Sequence, residues 1–239
     1  MLLLGTLLLF RIHRLINTKD INVQGTEHSV IHENTVIQDQ IVESSDCQSG
    51  KSLNGGLYLI ESPATSVNFT NCKFSHCFSV YYHSPFSSYI YGGVLYFSNI
   101  ENTFISGSSF VNCTSPCGGA IALSNVSLAV FENTNFTQNA ASYFLFATWY
   151  GDGGAIYFDK TDGCSLVLTG CIFDSNIASS GAGLYLDPHL DELVVEDCSF
   201  TNNHNEHYYG AAIRAGTDIY TTPIKKVSLV SSSFTNNSI

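Results

Sequence analysis

Residues 153–176, GGAIYFDKTDGCSLVLTGCIFDSN, are the cleanest copy of a unit that the chain repeats. A glycine pair opens a short apolar run, Ala155-Ile156-Tyr157-Phe158. An Asp/Gly turn, a second run (Leu166-Val167-Leu168) and a Phe173-Asp-Ser-Asn176 corner follow. Neither run can bury its apolar face alone, but stacked copies can, which is the physical meaning of a repeat at this period.

Six copies hold four columns in phase. The closing Phe recurs as Phe74, Phe110, Phe136, Phe173, Phe200 and Phe234. Five residues before it stand Phe69, Ile105, Phe131, Leu168, Val195 and Leu229, and two earlier again Val67, Thr103, Ala129, Leu166, Leu193 and Val227. Three residues after the Phe come Cys77, Cys113, Asn139, Asn176, Asn203 and Asn237. The glycine-led run repeats as well, with anchors Leu57, Leu95, Ile121, Ile156, Leu184 and Ile213. Gly55, Gly93, Gly119, Gly154, Ala182 or Ala211 stands two residues before each anchor. Side chains alternate across a strand, so these columns share one face and the residues between them share the other. Runs this short, with period two and bounded by Gly, Asn and Ser, predict strands.

The shortest copy, from Leu95 to Ile121, sets a minimal coil of three short strands. That is one turn of a right-handed parallel β-helix. The chain lacks the Leu-x-x-Leu-x-Leu pattern of leucine-rich repeats, and the copies are shorter than a four-stranded propeller blade. The expected fold is all-β: a single right-handed parallel β-helix with about six clear coils over residues 54–239. One or two degenerate coils are expected over 17–53, where Ser29-Val30-Ile31 and Gln40-Ile41-Val42 fall. Residues 1–16 are a separate apolar segment, a signal remnant or a cap. Met1 to Phe10 is too short to span a bilayer as a helix, and its arginines follow the apolar run rather than precede it.

The paired Gly-Gly-apolar and Phe-x-x-Asn tetrapeptides resemble the polymorphic outer membrane protein (Pmp) repeat. They read Gly153-Gly154-Ala155-Ile156 with Phe173-Asp174-Ser175-Asn176, and Gly118-Gly119-Ala120-Ile121 with Phe136-Thr137-Gln138-Asn139. Gly181-Ala182-Gly183 and Gly210-Ala211-Ala212 depart from the first half, and Cys77 and Cys113 replace the Asn of the second. The resemblance covers roughly 54–239 and implies a β-helical surface or secreted passenger used in adhesion.

Composition narrows the function classes. Net charge is −11 and only 12% of residues are charged, so clustered Lys and Arg for a phosphate backbone are missing and nucleic acid is excluded as a partner. No P-loop, dinucleotide fingerprint or His-Glu-x-x-His order is present, and no cofactor is expected. His204-Asn-Glu-His207 reads as solvated loop chemistry. Sequons at Asn68, Asn112, Asn125, Asn135 and Asn236 are no more than a chain this rich in Asn, Ser and Thr yields by chance.

Three groups of residues could carry function. Tyr58, Tyr96, Tyr157, Tyr185 and Arg214 fall on the outward column of the glycine-led strand, where tyrosines either contact a ligand or ladder with one another. Insertions after Cys77 and Asn139 bring Tyr82, Trp149 and Tyr150 out from one corner of the solenoid, the usual place for a binding face on a repeat protein. Asp159 and Asp187 share a column on adjacent coils beside Arg214. They read either as turn residues or as a carboxylate pair that binds a cation or attacks a polysaccharide.

Cysteines stack as well. Coils about 4.8 Å apart bring Cys171 near Cys198 and Cys77 near Cys113, as disulfides or as buried thiols acting as small apolar residues. The function expected is a non-enzymatic, extracellular or cell-surface module that binds a glycan or a protein. A polysaccharide lyase or hydrolase and a structural spacer are the alternatives.

Overall fold

In the computed structural model the described residues are 29–31, 35–39, 41–42, 48–49, 58–61, 66–79, 92, 94–142, 151–159, 163–186, 190–207, 210–215 and 224–239. The segment 1–16, the insertion residues Tyr82, Trp149 and Tyr150, and Asp187 lie outside them.

Every described element is a strand, and every pairing is parallel between neighbouring coils. Seven coils stack. Strands Ser29–Ile31, Thr35–Gln38, Ile41–Val42 and Gln48–Ser49 make the first, and Ile213–Ala215, Lys226–Val230 and Ser233–Thr235 lie in the last. The stack has three walls. A twelve-stranded sheet holds both the glycine-led strands and the Val-x-Phe strands, a seven-stranded sheet holds the Phe corner, and a six-stranded sheet holds the two-residue strands after it. The protein is a parallel β-helix.

In two coils the first wall is one continuous strand, Leu95–Ser106 and Ile121–Glu132, bent at Asn99 and Asn125, which take left-handed φ of 56° and 54°. Left-handed residues also form the corners. One column runs Asn71, Gly107, Asn133, Gly170, Asp197 and Ser231, and a second runs His76, Asn112, Gln138, Ser175, Asn202 and Asn236. A short polar side chain or no side chain tolerates that conformation best. The glycine pair divides its work: Gly153 has φ +70°, while a Cβ on Gly154 would lie 2.3 Å from the Ala182 carbonyl oxygen.

The predicted phenylalanine column is present. Phe74, Phe110, Phe136, Phe173, Phe200 and Phe234 pair in register and stack with ring centroids 4.5–5.2 Å apart. Phe131 meets Phe136 edge-on at 6.0 Å, tying the second apolar column to the first. The apolar side chains of the central coils fill the interior, and Phe69, Phe74, Phe110, Phe131, Phe136, Phe173 and Phe200 are fully buried.

The asparagine column forms a closed hydrogen-bond ladder. Asn139 Nδ2 donates to Phe110 O in the coil before (3.0 Å) and to Asn176 Oδ1 in the coil after (3.1 Å). Asn176 Oδ1 also accepts the backbone N–H of Asn139, at 3.0 Å. The pattern repeats through Asn203 to Asn237. Cys113 keeps its backbone bond to Asn139 Oδ1, but its buried thiol is pushed up to about 12 by desolvation.

One expectation is corrected, and for the cysteines one of the two alternatives is excluded. Tyr58 pairs with Leu95 and Leu59 with Tyr96, one residue off the column that aligns Leu57 with Leu95. Both parities of Leu57-Tyr58-Leu59-Ile60 are apolar, so alternation cannot choose between the registers. The cysteines form neither candidate pair. Cys171, Cys198 and Cys113 are free thiols, and Cys77 is disulfide-bonded to a partner outside the described residues. The free thiols are instead bonded to backbone: Cys171 Sγ donates to Phe131 O at 3.4 Å and Cys113 Sγ to Val111 O at 3.6 Å.

The thiols also do more than fill space. Cys198 Sγ accepts the Cys171 N–H at 3.4 Å, as Ser108 Oγ accepts from Cys72 N–H and Ser232 Oγ from Cys198 N–H, both at 3.1 Å. Thiol and hydroxyl hold the same bonds, which is why Cys, Ser and Thr alternate in this column.

Candidate functional site

Strands Ile156–Phe158, Leu184–Leu186 and Ile213–Ala215 place alternate residues on opposite faces. Ile156, Phe158, Leu184 and Leu186 are buried in the core. The register sets Tyr157 against Tyr185 and Tyr185 against Arg214 on the other face. The two tyrosine rings stack at 5.1 Å with planes 13° apart, and Arg214 Cζ lies 5.3 Å from the Tyr185 centroid. Tyr185 is buried, while Tyr157 and Arg214 are partly exposed. The column therefore ends in a cation set over an aromatic face, an electrostatically favourable arrangement.

The guanidinium also donates to the Ser180 hydroxyl. Ser180 stands at the corner that opens its coil and pairs there with Asp152 of the coil before, which pairs in turn with Cys117. Burial pushes the Asp152 carboxyl up to about 6, and the nearby Arg214 charge only partly offsets it. The carboxylate and the guanidinium act on each other through space without forming an ion pair. Asp152, Ser180, Tyr157, Tyr185 and Arg214 thus form one mixed polar and aromatic cluster across three coils.

Asp159 belongs elsewhere. Its backbone N–H donates to Leu123 O at 2.7 Å and its Oδ2 accepts from Ser124 Oγ at 3.1 Å, both on the preceding coil. The Arg214 side chain runs to Ser180 and acts on Asp152, at the opposite end of the strand from Asp159. The structure therefore does not bring Asp159 and Arg214 together, and the carboxylate beside Arg214 is Asp152. Sequence reasoning missed this residue because it closes an aromatic insertion rather than standing in a counted column. The signal was present, since Cys117, Asp152 and Ser180 each stand two residues before the small residue of their coil.

His204 Nδ1 lies 3.0 Å from Ser238 Oγ and is exposed, as is His207. No group of three or more His, Cys, Asp or Glu side chains placed to hold a metal ion occurs among the described residues. No helix among them is long and apolar enough to cross a membrane.

No curated protein and no solved structure matches the chain. The sequence model of one family, described as right handed beta helix region, matches residues 21–239. That span takes in every described coil and gives the solenoid its hand. The chain belongs to the right-handed β-helix family.

Proposed function

We propose that the protein is a non-enzymatic binding module of the extracellular space or cell surface, of Pmp-repeat type, that contacts a glycan or protein partner. The observation that carries this reading is the cluster of partly exposed Tyr157, Asp152 and Arg214, backed by buried Tyr185 and Ser180. A rigid ladder holds these side chains in place, so little conformational entropy is lost when a ligand binds. The insertions bearing Tyr82, Trp149 and Tyr150 extend the same reading, since scaffold-borne loops carry recognition more often than the scaffold does.

The test is binding of the purified chain to a glycan array and to cultured cells. Tyr157→Ala, Tyr82→Ala and Trp149→Ala are expected to lower binding with the melting temperature nearly unchanged. Failure of the full chain to bind any glycan or cell surface overturns the reading.

A second reading, a polysaccharide-active lyase or hydrolase, is favoured by one observation. A carboxyl held near 6 beside an arginine is poised for proton transfer near neutral pH. New reducing ends or unsaturated products from a polysaccharide panel, lost in Asp152→Asn, would establish it.

A further inference from the structure

Asp152 and Arg214 are two opposite charges that face one another without joining. Arg214 has five guanidinium N–H donors, and Ser180 takes one. Among the described residues no donor bonds the Asp152 carboxylate, and Arg214 is the charge that acts on it. The carboxylate belongs to the coil before Ser180 and the guanidinium is held at the Ser180 hydroxyl, so the two charges come from neighbouring coils and act on each other without an ion pair. A single oxygen fits between two such groups when it donates to one and accepts from the other. An alcohol does both at once. A carboxylate or sulfate can only accept, and would bring a second negative charge to Asp152 on a chain of net charge −11.

We propose that Asp152 and Arg214, with the buried Ser180 hydroxyl holding the guanidinium in place, form a subsite for a neutral, hydroxyl-rich saccharide unit, one hydroxyl of which bridges the carboxylate and the guanidinium. Partly exposed Tyr157, one coil from Ser180, supplies the aromatic edge against which an apolar sugar face rests. The proposal rests on the binding-module reading and narrows it from any glycan or protein to a neutral saccharide. Its chemistry runs opposite to that of a site for acidic polysaccharide, which needs unopposed cations or a bridging metal ion.

The experiment is calorimetric titration of the full chain with oligomers of glucose, mannose and galactose, and with the matching oligomers of glucuronate and galacturonate. At least one neutral series is expected to bind, with the corresponding uronate weaker. Asp152→Asn and Arg214→Gln should each weaken the neutral ligand roughly ten- to hundredfold, the loss expected for a hydrogen bond to a charged group. Ser180→Ala should weaken it less. Circular dichroism separates binding from folding, and Asp152→Asn removes only a destabilising charge.

Uronate binding that is stronger than neutral binding overturns the proposal, as does neutral binding unchanged in both Asp152→Asn and Arg214→Gln. If no oligosaccharide binds while cell binding persists, the subsite is refuted and the broader module reading survives. If neither is seen, both fail.

Discussion

Asn176 Nδ2 donates to Asn203 Oδ1 at 2.9 Å, and the same oxygen accepts the Asn176 backbone N–H at 3.1 Å. With its second proton on Phe136 O at 3.0 Å, the buried Asn176 amide makes the full set of bonds its chemistry allows. Solenoid coils have few long-range contacts beyond their neighbours, so a satisfied ladder of this kind fixes one coil on the next.

Replacing Asn176 with Ala strips partners from buried groups in both adjacent coils while leaving little room for water. The expected loss is about 3 kcal/mol, since each stranded buried polar group costs about 1–3 kcal/mol. Urea unfolding followed by circular dichroism measures it, and Asn176→Asp should be no better because it buries a charge.

Phe173 is fully buried, with rings stacked on it at 4.9 Å and 4.5 Å. The strand ladder holds those neighbours apart, so the space left by Phe173→Ala cannot collapse. A loss of about 3–5 kcal/mol is expected in the same denaturation experiment.

The thiol column predicts an unusual order of tolerance. Cys198→Ala removes the acceptor of a buried backbone N–H at Cys171 and should destabilise by about 1–3 kcal/mol. Cys198→Ser restores the acceptor, as Ser232 and Ser108 show in their own coils, and should sit close to the parent. A Ser variant as damaging as the Ala variant would show that the sulfur matters for its volume alone.

Asp152 makes stability depend on pH. Its folded value, about 6, lies above the ordinary 3.8, so the folded chain holds this proton to higher pH than the unfolded chain. The penalty is absent below about pH 4, grows as pH rises to about 6, and persists above, reaching about 3 kcal/mol. Asp152→Asn should therefore melt higher than the parent at pH 8 and alike at pH 3.5, by scanning calorimetry.

The stacked interior was legible because its determinants are strictly periodic. The Phe of Phe173 recurs at a fixed offset in all six clear copies and the Asn of Asn176 in four, and a period in sequence becomes a column in space. Periodicity failed where it carried no contrast, as at Tyr58, whose neighbours are apolar on both faces. It also failed where a long side chain left its column. Arg214 was rightly placed beside Tyr185, but its guanidinium passes along the stack to Ser180 and toward Asp152, and no offset encodes that reach. Asp159 shares a column with Asp187 in sequence, yet its bonds to Leu123 and Ser124 tie it to the previous coil, away from Arg214.

The asparagine ladder also has a direction. At every rung the earlier coil holds out two donors, its side-chain amide and its backbone N–H, and the later coil brings the one oxygen that receives both. Chains are synthesised from the N-terminus, so each finished coil presents waiting N–H groups to the segment that emerges next. The solenoid is a template read one way: what coil 139 leaves open, coil 176 closes, and in closing it prepares the seat for 203.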